Sequence, residues 1–277
     1  MWSFLRSIWL NTLATSTVAA QLSFVASVQQ EGRDVDASGL NFLPIPPLEH
    51  LKHASDHEKL RRDPISYSSN WCGASQRATR QDGISSVVGY FTVPDLTLRP
   101  GQPAPQAAAA WVGIDGAECN STLLQAGVTT IVNSNGGQSA SAWWEWYPET
   151  AFNIEGLRVR PGDWMSVNIT TRDASSGTVV ITNVQRGYSV TLQINNGPKL
   201  CRLDAEWILE AFYDSGQQVP FARFSDLWFV ESGATTVAGK NIGIDGATMV
   251  HIQADDGKIL CSAEPYDSAN LVMVSQG

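Results

Sequence analysis

The sequence predicts an all-β fold, a sandwich or a barrel, for the part of the chain after residue 62. Three observations lead to this fold class. Short runs rich in β-branched and aromatic residues recur, clusters of turn-forming residues separate them, and no internal repeat or long linker interrupts the series. Some 215 residues follow residue 62, enough to bury a large core as one domain.

Eleven segments carry the strand pattern, and the turn signals between them contain Gly, Asn, Asp or Pro. The predicted strands are 87–93, 110–114, 129–132, 142–147, 165–170, 179–184, 188–194, 207–212, 227–230, 249–252 and 271–274. The clearest turns are 135–137, 161–163, 195–197 and 255–257.

Residues 1–20 have the pattern of a secretory signal peptide. Arg6 supplies the positive charge, residues 8–20 are mostly small or apolar, and Ala20 completes a small-residue cleavage site. The apolar part is too short to cross a bilayer. We therefore predict a secreted, extracellular product with no membrane partner, in which the four cysteines can form disulfides.

Residues 21–62 differ from the chain that follows. They contain three prolines and then a polar run, from His50 to Arg62, that holds three of the four histidines and ends in the dibasic pair Arg61-Arg62. We interpret 21–62 as a prosegment cut after Arg62, which leaves a globular domain of residues 63–277. The alternative is a flexible or helical N-terminal arm that stays attached.

Charge supports this division. The chain has 18 basic and 27 acidic residues, and residues 1–62 hold six of each, so the remainder has 12 bases against 21 acids. That balance argues against nucleic acid or an anionic membrane as partner, since both need a basic surface. His251 is the one histidine after residue 62, and its apolar neighbours predict a structural role rather than a serine or cysteine mechanism.

Two sequons, at Asn120 and Asn168, are predicted glycosylation sites. In a strand over 165–170 the apolar residues point one way, and Asn168 points the other way with the polar residues.

The stretch 111–127 reads as two short strands joined by a Gly/Asp turn. Strand alternation places Trp111, Gly113 and Asp115 on one face, a combination that suits the floor of a cleft. Gln125 lies in an apolar setting, where its amide needs a partner or a ligand. The alternative is a core strand whose glutamine bonds a neighbouring backbone group.

Two further stretches combine carboxylates with apolar residues. In 141–148 a strand would show Trp143, Glu145 and Tyr147 on one face and two more tryptophans on the other, which suits binding of a polymer, peptide or sugar. The alternative there is core packing with a glutamate at its rim. In 201–212 Glu206 and Glu210 share a face in either a strand or a helix, and the surrounding pattern favours a strand.

Five motifs, taken together, resemble the glutamic peptidases, or eqolisins, the fungal secreted acid proteases. They are 70–73, 111–116, 124–127, 143–148 and 205–210, and they follow one another in the family's order over most of the chain after residue 62. The resemblance implies a β-sandwich of two long antiparallel sheets of the concanavalin-like or jelly-roll type. It also implies secretion as a preproprotein and hydrolysis of proteins at acid pH with no metal and no cofactor.

The resemblance further implies roles for individual residues. Gln125 and Glu210 match the catalytic dyad, and Cys119 and Cys201 match a disulfide of relatives. The matching substrate-cleft residues are Trp71, Trp111, Asp115 and Glu145. The chain departs from the family at Ser141, where relatives have an acid, at Cys72, where they have a small residue, and at 203–204, where they have a Thr-Asn pair. Cys72 and Cys261 remain open between a second bridge and free thiols.

The hypothesis that follows is a protein-cleaving enzyme in which Glu210 is first base and then acid, while Gln125 stabilises the oxyanion. Ordinary glutamates have a pKa of about 4.3, so we expect a working pH of about 3–5. We also expect a monomer that its own prosegment inhibits. The alternatives are a glycoside hydrolase using Glu145 and Glu210, or a carbohydrate-binding sandwich that stacks sugars on tryptophans.

Overall fold

The computed structural model describes residues 21–46, 64–79, 81–214 and 216–277. The predicted signal peptide and the run from His50 to Arg62 lie outside these ranges. Within them the chain is almost entirely β, with one short 3-10 helix at Ala37–Gly39. No helix in the described ranges is long and apolar enough to cross a bilayer.

The described part of the chain contains 23 strands, numbered in chain order. The first twelve are β1 (Ser23–Gln30), β2 (Arg33–Val35), β3 (Asn41–Ile45), β4 (Ile65–Ser68), β5 (Trp71–Arg77), β6 (Ile84–Thr92), β7 (Leu96–Thr97), β8 (Gln106–Ile114), β9 (Leu123–Val132), β10 (Gln138–Tyr147), β11 (Ala151–Glu155) and β12 (Trp164–Thr171). The others are β13 (Gly177–Asn183), β14 (Tyr188–Asn195), β15 (Asp204–Glu210), β16 (Tyr213–Asp214), β17 (Gln217–Gln218), β18 (Arg223–Phe224), β19 (Leu227–Thr236), β20 (Asn241–Ile242), β21 (Thr248–Gln253), β22 (Ile259–Pro265) and β23 (Leu271–Ser275).

The long strands form two layers, which confirms the predicted β-sandwich. The front sheet has the order β4-β21-β5-β15-β8-β9-β10-β11-β3. The back sheet has the order β23-β19-β6-β12-β13-β14-β1-β2. Strand β22 pairs with both β21 and β23 and so joins the layers at one side. All of these pairings are antiparallel except that of β4 with β21.

The eleven predicted strands are all present, most of them longer than predicted. The predicted strand 207–212 is β15, which starts earlier and ends at Glu210. Period-two alternation is clear in β12, where Met165, Val167 and Ile169 are buried and Asn168 is exposed, as predicted. In contrast β8 is buried along its whole length, because it lies in the middle of the front sheet with both of its faces covered.

Large aromatic residues fill the space between the layers. Trp144, Trp146 and Trp207 are fully buried there, and the Nε1 of Trp207 donates to the carbonyl of Val88 across the layers at 2.8 Å. Trp143 instead joins a second apolar cluster on the outer side of the front sheet. The two faces of 141–148 therefore pack into different apolar clusters.

Residues 21–46 form part of the sandwich. Strand β1 pairs with β14 along eight residues of each strand, and β3 pairs with β11 along five. The segment interpreted as the first part of a prosegment thus adds β1 and β2 to the back layer and β3 to the front layer, at the side opposite β22. It is neither helical nor separate from the body, contrary to the alternative of a flexible or helical arm.

Both possible disulfides are formed, and no cysteine in the described chain is free. Cys119 bonds to Cys201, as the family resemblance implied, and this bridge joins the loop after β8 to the segment before β15. Cys72 bonds to Cys261, which settles the open question in favour of a second bridge and ties β5 to β22.

Candidate active site

The outer face of the front sheet brings together the predicted dyad. Gln125 on β9 lies opposite Gly113 on β8 and opposite Glu145 on β10. Glu210 on β15 lies opposite Ala109 on β8. The two dyad residues are therefore two strands apart and offset by four residues along the strands.

Trp111 occupies the middle of this diagonal, because it lies on β8 two residues from Gly113 and two from Ala109. Its indole Nε1 donates to Glu210 Oε2 at 2.7 Å. Asn70, in the tight turn before β5, donates from Nδ2 to Glu210 Oε1 at 3.1 Å. Each carboxylate oxygen of Glu210 thus has a side-chain donor, and the carboxylate is fully buried.

Asn70 is a further site residue, and although it lies in the motif 70–73, no role was predicted for it. Its own side chain is fixed from behind, because the Ser68 hydroxyl lies 3.1 Å from Asn70 Oδ1 and donates to it. The Ser68 oxygen also accepts the backbone N–H groups of Asn70 and Trp71. The only sequence signal was the polar Ser-Ser-Asn ahead of a buried tryptophan, which is typical of a turn.

Gln125 finds its partner on the neighbouring strand. Its Nε2 donates to Glu145 Oε2 at 2.7 Å, and both side chains are fully buried. This partner is a carboxylate, whereas the alternative interpretation gave Gln125 a backbone partner. Because Glu145 accepts this bond, the amide is oriented with its nitrogen toward β10.

Two indoles cover the sheet between Gln125 and Glu210. The rings of Trp71 and Trp111 meet edge to face, with centroids 5.1 Å apart. A Cβ at Gly113 would meet Trp111 Cζ3 and Leu123 Cδ1 at 2.9 Å, so the bare backbone there makes room for the Trp111 ring. Trp143 and Phe212 extend the same apolar cluster.

The comparisons with known proteins agree with this geometry. The profile of the Peptidase A4 family matches residues 69–275, which is most of the chain. The chain belongs to the Peptidase A4 family. Aspergillopepsin-2 of Aspergillus niger is 31% identical over 285 residues, 95% of this chain and 97% of the relative.

Two further relatives extend the comparison of this A4 peptidase. Scytalidopepsin B of Scytalidium lignicola is 28% identical over 252 residues, covering 86% of this chain and 88% of the relative. A crystal structure of scytalido-glutamic peptidase with a peptide-based transition state analog superposes with a TM-score of 0.65 at 26% identity. It covers 75% of this chain and 98% of that structure.

Family membership confirms the resemblance and identifies the protein as a glutamic-type endopeptidase. It also decides against the glycoside hydrolase and the carbohydrate-binding sandwich.

Asp115 of this A4 peptidase lies elsewhere than strand alternation predicts. Strand β8 ends at Ile114, and Asp115 takes a left-handed conformation with φ of 69°. Its buried carboxylate accepts the backbone N–H groups of Arg202 and Leu203 at 2.8 and 2.7 Å. It therefore holds the segment before β15, and its contact with substrate stays a prediction.

Asp115 is one of three buried acids beside the disulfide of Cys119 and Cys201, and we call Asp115, Asp204 and Glu206 the acid cluster. Burial raises the pKa of Asp115 to about 6, although backbone donors oppose the shift. Burial, with the neighbouring Asp115, raises the pKa of Asp204 to about 7. Burial also raises the pKa of Glu206 well above its usual range, and Asp204 and Asp115 add to the effect.

The cluster can be told apart from a metal centre. In the described part of the chain, one group of residues has ligand atoms close enough for a metal ion: Asp115, Cys119 and Cys201. The two sulfurs are bonded to each other, so neither can act as a thiolate ligand.

Both predicted glycosylation sites are accessible. Asn120 is exposed in the loop between β8 and β9, and Asn168 is exposed on the outer face of the back sheet. Attachment of glycans at these two positions stays a prediction.

Proposed function

We propose that this A4 peptidase is a secreted endopeptidase that hydrolyses protein chains at acid pH with Gln125 and Glu210 as its catalytic dyad. The observation that carries the proposal is the way Glu210 is held. Two side-chain donors, from Trp111 and Asn70, fix its carboxylate on the same face of the front sheet as the Gln125 amide.

Glu210 acts first as a general base. It takes a proton from a water molecule, whose oxygen attacks the carbonyl carbon of the scissile peptide bond. The same proton then passes from Glu210 to the leaving nitrogen as the C–N bond breaks. One carboxyl group therefore serves both steps and returns to its starting state.

Gln125 stabilises the negative charge that develops on the carbonyl oxygen. Its amide nitrogen carries two N–H donors, and the bond to Glu145 fixes the direction in which the amide points. A side-chain amide in such a role lowers a barrier by about 3–4 kcal/mol. A general base works best at a pH near its own pKa, and the resemblance to acid proteases implies an acid optimum, so we expect activity at about pH 3–5.

Trp71, Trp111 and Glu145 are the residues that we propose to line the substrate path, with Asp115 behind them. The relative with a peptide-based transition state analog supports a peptide as ligand. The indole faces provide apolar surface for side chains of the substrate.

The test of the dyad is hydrolysis of acid-denatured protein by variants of the purified enzyme. Gln125→Ala is expected to lower kcat by about 100- to 1,000-fold, the loss typical of an oxyanion donor. Glu210→Gln is expected to abolish activity, because an amide cannot accept the proton. Glu264→Gln, an exposed position on β22, is the matched control and should retain full activity. Substantial activity in either dyad variant would refute this mechanism.

We further propose that residues 21–62 are a prosegment and that its polar run lies across the active site near neutral pH. In the full-length chain Gln125, Glu145 and Glu210 have no exposed surface, so a substrate cannot reach them until the site opens. The run carries His50, His53 and His57 with four Lys or Arg residues, whereas the site carries carboxylates.

The strands before and after the run, β3 and β4, lie at opposite sides of the front sheet, so the run has to connect one side of the sheet to the other. One row of paired residues crosses all nine strands of the front sheet, from Pro44 on β3 to Ile65 on β4. The row passes through Ala126, next to Gln125. Eight strand spacings measure about 38 Å, and the 21 residue steps between the ends reach about 70 Å.

The remaining proposals concern the product. We propose that residues 1–20 direct secretion, that Asn120 and Asn168 can carry glycans and that the enzyme is a monomer. N-terminal sequencing of secreted protein, mass measurement before and after glycan removal, and light scattering test them. A secreted protein that begins before Gln21 would contradict the signal peptide. A mass that glycan removal does not change would contradict glycosylation, and a dimer in light scattering would contradict the monomer.

A further inference from the structure

We infer that residues 21–46, which we call the arm, stay bound to the sandwich as a separate chain after cleavage at Arg62. The inference rests on the proposed function in one respect, the position of the cut. Its physical basis is a surface of the body, formed by β11, β14 and the aromatic residues between them, whose occupant is the arm itself.

Backbone pairing supplies the first part of this surface. Strands β14 and β11 are the outermost strands of residues 64–277 at this side of the two layers. The arm covers both, with β1 on β14 and β3 on β11. An uncovered strand edge presents unpaired N–H and C=O groups and is a template for another strand, so the arm closes two such edges at once.

Aromatic packing supplies the second part. The ring of Phe24 on β1 lies 4.9 Å from Trp144 and 5.4 Å from Phe152, centroid to centroid. Phe42 on β3 lies 5.0 Å from Phe24, so the two strands of the arm meet over the end of the core. Val28 is also buried against the back sheet. Loss of the arm would expose this end of the core to water, at a cost of about 25 cal/mol per Å² of apolar surface.

Close fit supplies the third part. Gly156 takes a φ of 98°, and a Cβ there would lie 2.5 Å from the carbonyl oxygen of Gly39, so the backbones of arm and body touch. The N–H of Glu31 donates to the carbonyl of Gly187 at 2.7 Å. Asn41 Nδ2 donates to Glu155 Oε2 at 3.1 Å.

Acid should leave this contact in place. The carboxylate and guanidinium groups at the seam are those of Glu31, Arg33, Asp34 and Asp36 on the arm and of Glu155, Arg158 and Arg186 on the body, and all of them are exposed. Because backbone pairing and aromatic burial do not titrate, the arm differs from the basic run, whose proposed attraction to the site is electrostatic. The prosegment therefore has two parts, one that acid releases and one that it does not.

The experiment separates retention from self-processing. A recognition sequence for an added site-specific protease replaces residues 57–62 of the full chain, in the Glu210→Gln background, and the protein is cut at neutral pH. Size-exclusion chromatography and native mass spectrometry then follow the arm at pH 7 and at pH 4. We expect the arm to co-elute with residues 63–277 at both pH values. Failure of the dyad or of self-processing would not change this result.

Variants of the arm identify what holds it. Phe24→Ala combined with Phe42→Ala should release the arm after cutting, whereas Val25→Ala, on the exposed side of the same strand, should retain it. Hydrogen exchange of the cut, unmutated protein gives a second measurement, in which the amides of β11 and β14 should stay protected. Separate elution of the unmutated arm, or retention of the doubly substituted arm, would overturn the inference.

Discussion

Glu210 can act as a base only if its carboxylate keeps one orientation. Two neighbouring side chains fix that orientation by donating hydrogen bonds to it. Trp111 lies on the adjacent strand and Asn70 lies in the turn before the strand on the other side. Hydrogen bonds to a charged group contribute about 1.5–3 kcal/mol each. The residues around the dyad are therefore expected to affect kcat as much as they affect binding.

Replacing Trp111 with Phe tests how much the hydrogen bond from the indole nitrogen to Glu210 contributes to kcat. The substitution keeps an aromatic ring against Trp71 but removes the Nε1 donor that Glu210 accepts. We expect kcat to fall about 10- to 100-fold, as the loss of such a bond implies, with little change in KM. Trp164→Phe, on a half-buried tryptophan of the back sheet, is the control. A rise in KM with unchanged kcat would show that Trp111 acts in substrate binding alone.

The sequence carried much of this site but not all of it. Glu206 and Glu210 were predicted to share a face of a strand, and the structure confirms that strand. Strand alternation failed at Asp115, because the strand ends one residue earlier with a positive φ that no periodic pattern signals. Asn70 was missed because its contact with Glu210 spans 140 residues of sequence.

At the scale of elements, the acid cluster lies where β8 ends and β15 begins, beside the disulfide of Cys119 and Cys201. Asp115 holds the backbone at Arg202 and Leu203, and Asp204 in turn accepts the N–H of Glu118 at 2.7 Å. The two loops are thus fastened by two carboxylates and one covalent bond. Glu206 adds a third buried acid on the same strand as the catalytic glutamate.

The cluster predicts that folding stability decreases as pH rises. The pKa values of Asp115 and Asp204 are raised to about 6 and about 7, so the folded state holds protons that the unfolded state has already lost. The free energy of unfolding should be highest below about pH 4 and should fall by up to about 1.4 kcal/mol per pH unit for each group until its folded pKa is passed.

Urea unfolding between pH 4 and pH 8 measures this slope. Asp204→Asn should make the decline shallower, because one group no longer ionises. Asp173→Asn, at an exposed turn where the pKa is lowered, should not. A free energy of unfolding that is constant or increases between pH 4 and pH 7 would show that the acid cluster does not set the pH dependence of stability.

At the scale of the whole molecule, the proposed inhibition depends on charges that titrate in two stages. As pH falls through about 6.5 the histidines of the run become positive while most carboxylates are still ionised, so the attraction should first increase. Release should come at about pH 4 and below, when the carboxylates take up protons. Salt should weaken the attraction, because it screens the charges of the run wherever solvent reaches them.

Activity against pH for an uncleavable zymogen tests the scheme. Arg61→Ala with Arg62→Ala blocks the predicted cut, and His50, His53 and His57 are then changed to Gln in the same protein. We expect the triple change to increase activity near pH 5.5 in low salt. His251→Gln, outside the run, is the control. A zymogen already fully active at pH 5.5, or one that the triple change leaves unaltered, would show that the run is only a solvated linker.

The general architecture was predictable because period-two runs and turn signals are local features. The elements that were not predicted have weak local signals in the sequence. Four of the seven residues of strand β5 are Cys, Gly, Ala and Ser, which are weak strand formers or small, and the segment forms a strand because β15 and β21 pair with it on either side. The arm contains prolines and lies in a segment whose charge differs from that of the following chain, so no strand was predicted there. Its alternate apolar residues nevertheless pack against the side of the core.

The position of β5 also bears on how the protein is made. Its residues leave the ribosome early, but its two partners, β15 and β21, lie far downstream, and the bridge from Cys72 to Cys261 spans 189 residues. Strand β5 therefore cannot be paired on both sides until most of the chain has been made, although β8, β9 and β10 can pair with one another earlier. Translation must be nearly complete before this sheet can close, so a secreted chain would cross the translocon unfolded and fold in the oxidising compartment where its disulfides form.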